Sequence, residues 1–102
     1  MTTPEEILAA VHEATGVPAS EILTDRRTAQ VSTARFLAMR LYADSHPWAA
    51  NHDAAKAVGK IDPGTGRHGL MRAAHLMEHD PAFREAHAMA TGLLASPTAA
   101  TA

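Results

Sequence analysis

Apolar residues recur every three or four positions along most of the chain, which is the spacing of amphipathic helices. Ile7, Leu8 and Val11 form one such set, and residues 31–42 contain another. No segment alternates apolar and polar positions with a period of two, so the pattern predicts no strand. The sequence therefore predicts an all-α protein, a small bundle of five to six helices.

Capping residues and prolines set the limits of these helices. Thr3-Pro4-Glu5-Glu6 is a capping box with proline at the first helical position, and Gly16 is a typical helix stop. A short helical turn over 18–23 follows, and further helices are predicted at 28–44, 48–58, 68–79 and 81–94. The loop predicted before the fifth helix covers residues 60–66. The large apolar side chains expected in the core are Leu8, Val11, Leu23, Leu37, Leu41, Val58 and Phe83.

Length and composition narrow the class of protein. A chain of 102 residues forms one domain, here expected over 1–95, and the tail 96–102 is predicted to be disordered. Cysteine is absent, which excludes disulfides and thiolate zinc sites. No run of 18 apolar residues occurs, and the N-terminus is acidic where a signal peptide is basic. We therefore expect a cytoplasmic protein with no membrane partner.

Charge is distributed unevenly. The net charge of −2 argues by itself against a nucleic-acid binder. Residues 24–40 and 56–72 nevertheless each carry a net charge of +3, and all other segments are negative. Such basic segments can arise by chance in a short chain. Alternatively, they can form a surface that binds an anionic partner.

The second basic segment contains IDPGTGRHGLMRAAH, residues 61–75, in which glycines and a proline precede an apolar helix pattern. Together with the helix before it, this stretch is a candidate helix-turn-helix motif with an enlarged turn. The second helix of that motif enters the DNA major groove by its N-terminal residues. Arg67 and His68 lie at that end, and Arg72 one turn further on.

The first basic segment, ILTDRRTAQVSTARFLAMRL at 22–41, resembles the C-terminal DNA-binding domain of the bacterial replication initiator DnaA. That family has a leucine-rich turn, a basic loop and a helix of the form V-x-x-x-R-x-x-A-M-x-L. Residues at the matching spacing are Leu23, Arg26, Arg27, Val31, Arg35, Ala38, Met39 and Leu41. ILAAVHEATGVPASEIL upstream and LMEHDPAFREAHAMATGLL downstream are similar to the family's first and closing helices.

The resemblance implies a bacterial protein that binds double-stranded DNA sequence-specifically in replication or transcription control. It also makes replication or transcription proteins candidate further partners. It implies that Arg27 enters the minor groove and that Arg35 contacts the DNA backbone. The family signature F-G-G-R-D-H-[ST]-T-V is altered here to AVGKIDPGTGRHGLMRAA, with about five residues inserted. The expected DNA-binding residues are Arg26, Arg27, Arg35, Lys60, Arg67, His68 and Arg72.

Two alternatives stay open. The altered signature and the negative net charge also fit a protein-interaction module that keeps this fold and has lost DNA binding. His75-Leu76-Met77-Glu78-His79 spells the inverted zinc-protease motif H-x-x-E-H, but the sequence specifies no third ligand. The chain lacks the phosphate-loop pattern G-x-x-x-x-G-K-[ST], so we expect the DNA-binding module alone, a non-enzyme without a cofactor.

Overall fold

The computed structural model describes residues 2–24, 26–48, 51–60 and 63–95. These residues form six helices and no strand, which confirms the all-α prediction. The helices are α1 (Pro4–Thr15), α2 (Ala19–Ile22), α3 (Ala29–Ser45), α4 (Asn51–Lys56), α5 (Pro63–His79) and α6 (Pro81–Ala95). The predicted disordered tail, 96–102, lies outside the described residues.

The capping signals in the sequence fix both ends of α1. The Thr3 hydroxyl accepts a hydrogen bond from the Glu6 amide at 3.2 Å, and the Glu6 carboxylate accepts one from the Thr3 amide at 2.9 Å. Gly16 ends the helix in the left-handed conformation, with φ of 80°. This end therefore needs a residue that tolerates positive φ.

Helix α3 is the centre of the fold and contacts all five other helices. Helices α1 and α6 pack against each other and against α3, and α4 and α5 form a second pair that also packs on α3. The core between them contains Ile7, Val11, Leu37 and Val58, all fully buried. Six of the seven predicted core residues are buried: Leu8, Val11, Leu37, Leu41, Val58 and Phe83.

Leu23 is the exception, because 47% of its surface is exposed. It follows the short helix α2 and lies against the turn after α4, where a Cβ added to Gly59 would approach Leu23 Cδ2 to 3.2 Å. Gly59 has φ of 78°, which favours glycine. Leu23 thus covers the backbone of a surface turn, so one of its sides faces solvent.

The largest difference from the sequence prediction concerns the start of α5. The predicted loop 60–66 is only partly a loop, since α5 begins at Pro63 and includes Gly64, Gly66 and Gly69. Proline is well suited to a first helical position, and Gly66 and Gly69 are buried. Gly69 lies directly against Met39 of α3, so this glycine serves close packing between two helices.

Helix α4 departs from its predicted limits, whereas α6 begins where the sequence predicts. Helix α4 is shorter than predicted, because Trp48 precedes it in a turn and residues 57–59 form another turn. Helix α6 begins as predicted: the Asp80 carboxylate accepts hydrogen bonds from the amides of Ala82 and Phe83 at 3.0 and 3.3 Å. No described helix has both the length and the apolar character needed to cross a membrane.

Candidate nucleic-acid interface

A groove of about 390 Å³ lies between the N-terminal half of α3 and the first turns of α5. Four of the seven residues predicted to bind DNA line it, and they come from four separate parts of the chain, with Arg35 on α3 itself. Arg27 belongs to the loop before α3, Lys60 to the connection between α4 and α5, and His68 to α5. The described residues that line it are Arg27, Ser32, Arg35, Phe36, Met39, Lys60, Gly64, Thr65 and His68.

The guanidinium group of Arg35 is directed at the backbone of the basic loop. Its Nε donates a hydrogen bond to the carbonyl of Ile22 at 2.9 Å, and its two Nη atoms donate to the carbonyls of Arg26 and Thr24. One side chain of α3 thereby holds both the end of α2 and the segment that leads to Arg27. In this structure Arg35 positions the loop, whereas the family resemblance implies a contact with the DNA backbone.

Thr24 adds a local constraint to the same loop. Its hydroxyl donates to the Glu21 carbonyl at 2.6 Å and accepts from the Arg26 amide at 3.2 Å. The Arg26 side chain turns back toward Glu21, with 3.9 Å between Nη1 and the carboxylate oxygen. Arg26 thus lies at the surface beside an acidic group, and Arg27 is the loop arginine that lines the groove.

His68 closes the groove on the α5 side. Its ring contacts Phe36 edge to face, with 6.0 Å between ring centroids and 75° between planes. The imidazole remains exposed, so its nitrogens are accessible from solvent. Gly64 and Thr65 lie one turn earlier on the same helix, where the positive end of the helix dipole favours anions.

The remaining two predicted residues lie elsewhere on α5. Arg67 is exposed and lies roughly 100° around the helix from His68, so it faces away from the groove. Arg72 is also exposed and follows His68 by one turn on the same side. The seven candidates therefore divide into groove residues, Arg27, Arg35, Lys60 and His68, and outer residues, Arg26, Arg67 and Arg72.

Sequence reasoning missed three polar or aromatic residues of the groove: Ser32, Phe36 and Thr65. Ser32 and Phe36 are one turn apart on α3, on the side that also carries Arg35. The spacing of four residues between Ser32 and Phe36 was the signal that the sequence offered. It was missed because the apolar positions of this helix were interpreted as core positions. Thr65 carried no signal because its position was assigned to a loop.

The H-x-x-E-H motif lies on the exposed side of the last two turns of α5. The described part of the chain contains no cluster of three or more histidine, aspartate or glutamate side chains arranged to hold a metal ion. The rings of His75 and His79 are adjacent, with 4.5 Å between their centroids. Within the part of the chain that the structure describes, no third ligand completes a zinc-protease centre with this motif.

Comparison of the chain with protein-family models, with curated proteins and with solved structures finds no match.

Proposed function

We propose that the chain is a sequence-specific double-stranded DNA-binding protein, with α5 and the basic loop before α3 as its contact surface. The observation that carries this proposal is the convergence of Arg27, Lys60 and His68 on one groove beside the start of α5. Cationic side chains at a helix N-terminus are suited to phosphate oxygens. The resemblance to the DnaA domain supports the same partner and suggests a role in replication or transcription control.

Each part of this surface has a distinct task in the proposal. Arg27, presented by a loop that Arg35 holds, enters the minor groove, where positive side chains respond to groove width and A·T content. The first turns of α5 enter the adjacent major groove. Arg67 is exposed there, and a guanidinium group can donate two hydrogen bonds to one guanine.

The outer face of α5, which carries Arg67 and Met71, gives the proposed site a sequence preference of its own. Met71 lies one turn after Arg67 and is 67% exposed. An apolar side chain at this place can contact the methyl group of thymine. Because the hydroxyl residues of the family signature are absent, the preferred site should differ from the standard initiator box.

A protein-interaction module is the second candidate, and one observation favours it. The exposed large apolar side chains include Met71 on α5 and Trp48, which is 73% exposed before α4. Exposed aromatic and methionine side chains are enriched at protein interfaces. In this alternative the outer face of α5 meets a protein.

Fluorescence anisotropy with labelled duplexes of A·T-rich and mixed sequence separates the two candidates. The informative variants are Arg27→Ala and His68→Gln, and Arg40→Ala is the control, because it removes one charge at the far end of α3. If DNA binding is the function, the first two variants weaken binding and the control leaves it within about twofold. Failure of the wild-type chain to bind either duplex at low salt overturns the proposal and favours the interaction module.

A further inference from the structure

Two imidazole rings lie side by side on the exposed surface of α5. His75 and His79 are four positions apart, one above the other on the helix. Their ring centroids are 4.5 Å apart and their planes are tilted by 44°. The side chain of His79 is 62% exposed, so a dissolved ion can reach it directly.

The backbone beneath this pair is held in place by packing. Ala73 is fully buried, and Leu76 and Met77 pack against the core from the opposite side of the helix. Arg84 of α6 donates hydrogen bonds to the carbonyls of Met77 and Glu78 at 3.0 and 3.2 Å. The last turn of α5 is therefore anchored both to the core and to α6.

The ring spacing suits coordination of one ion. Two nitrogen ligands of a tetrahedral zinc ion lie roughly 3.4 Å apart, since each Zn–N bond is about 2.0–2.1 Å. Imidazole rings with centroids 4.5 Å apart are close enough for one nitrogen of each ring to approach this separation. Neutral imidazole is a preferred ligand of zinc, copper and nickel ions.

Three other histidines of the described chain, His46, His68 and His87, contact groups elsewhere in the fold. The buried ring of His46 contacts the Tyr42 carbonyl through Nδ1 at 3.1 Å. The Nε2 atom of His87 lies 2.9 Å from the Asp44 carboxylate, and the ring of His68 packs on Phe36. Glu78 lies 3.9 Å from His79 Nε2 and provides a negative charge beside the pair.

We propose that His75 and His79 chelate one transition-metal ion of the nickel, copper or zinc class on the surface of α5. With two protein ligands, the remaining coordination positions belong to water. The site is thus a surface chelate that links two successive turns of the helix. The site uses none of the side chains that line the groove between α3 and α5.

Isothermal titration calorimetry of nickel ions into the tag-free full chain tests this proposal. We expect one ion per chain, with binding weakened on the order of a hundredfold in either His75→Gln or His79→Gln, since the second ligand then no longer acts at high local concentration. His12→Gln, an exposed histidine on α1, is the matched control and should bind like the wild type.

Circular dichroism of each variant shows whether the helices are retained. We expect unchanged helicity, because both imidazole rings are exposed. If His75→Gln or His79→Gln changes helicity, nickel-induced broadening of the histidine ring signals in NMR spectra of the wild-type chain provides the decision. Broadening confined first to His75 and His79 supports the chelate. Absence of nickel binding, or equal affinity in wild type and both variants, overturns it.

Discussion

Gly69 of α5 lies directly against the side chain of Met39 of α3. A Cβ atom added to Gly69 would be 2.0 Å from Met39 Cε and 2.6 Å from Met39 Sδ. Met39 is itself only 2% exposed, so an added Cβ would force its thioether group out of a buried position. This close approach seats the start of α5 on α3 and brings His68 to Phe36 at the edge of the groove.

Gly69→Ala should therefore destabilise the protein, even though alanine favours helices. Overpacking a core contact costs about 1–3 kcal/mol, against a gain in helix propensity of about 1 kcal/mol. We expect a net loss of about 1 kcal/mol in the free energy of unfolding, measured by urea denaturation. Gly92→Ala is the matched control in α6, where an added Cβ meets no atom within 4 Å. It should raise stability by about 0.5–1 kcal/mol, and equal effects of the two substitutions would contradict the packing argument.

Arg35→Lys should lower stability although it keeps the positive charge. A lysine ammonium group cannot serve the three carbonyls that the planar guanidinium of Arg35 reaches. We expect a loss of about 1–3 kcal/mol in urea denaturation, because hydrogen bonds from a charged donor are replaced incompletely. If the urea midpoint of the Arg35→Lys variant equals that of the wild type, Arg35 does not position the basic loop.

Glu6→Gln should change how stability depends on pH. The hydrogen bonds from the Thr3 backbone amide and then the Thr3 side chain hold the pKa of Glu6 below its ordinary value of 4.5. A carboxylate with a lowered pKa in the folded state stabilises the protein above its unfolded pKa, and this contribution disappears as pH falls through the folded value. Thermal melting should show Glu6→Gln less stable than wild type at neutral pH, with the difference shrinking below about pH 4.5.

Glu5→Gln removes a charge from the same helical turn and is the control for the Glu6 experiment. Its difference from wild type should change less across the acidic range. An unchanged deficit of Glu6→Gln from neutral pH to pH 3 would show that the charge of Glu6 does not contribute through the capping box.

The two arginines assigned to different DNA grooves should respond differently to truncation. Arg27→Ala should weaken binding to most duplexes and reduce any preference for A·T-rich DNA, because it removes the minor-groove contact. Arg67→Ala should mainly relax discrimination at one G·C pair, a loss of ~1–3 kcal/mol against the wrong base. Anisotropy measurements on a panel of single-base-pair variants separate the two effects. Identical changes for both variants on every duplex would contradict the division of roles.

The fold was largely predictable from the sequence because its helix limits depend on local signals. The Thr3 capping box, Gly16 and Asp80-Pro81 act within one or two turns, and each limit they predict is observed. The start of α5 was not predictable in this way. Gly66 and Gly69 favour a loop by propensity, but the structure places both in a helix. Gly69 packs against Met39 and Phe36 of α3, a contact that neighbouring residues in the sequence do not reveal.

The candidate site was predictable only in part, for a related reason. Charge patterning identified Arg27 and Lys60, and the helix-turn-helix interpretation identified His68. The structure brings these three to one groove. The same pattern grouped Arg35 with them, because sequence does not show that its guanidinium faces backbone carbonyls. Arg67 was placed beside His68, whereas helix geometry separates them by roughly 100°.

The salt dependence of duplex binding tests the central claim most directly, since contact with phosphates releases counterions from DNA. The dissociation constant of the wild-type chain for a labelled duplex is measured by anisotropy from about 50 to 200 mM salt. If about six phosphates are contacted, the logarithm of the association constant should fall against the logarithm of salt concentration with a slope near −5. No binding at the lowest salt concentration, or binding that does not change across the range, would contradict the proposal that this chain is a DNA-binding protein.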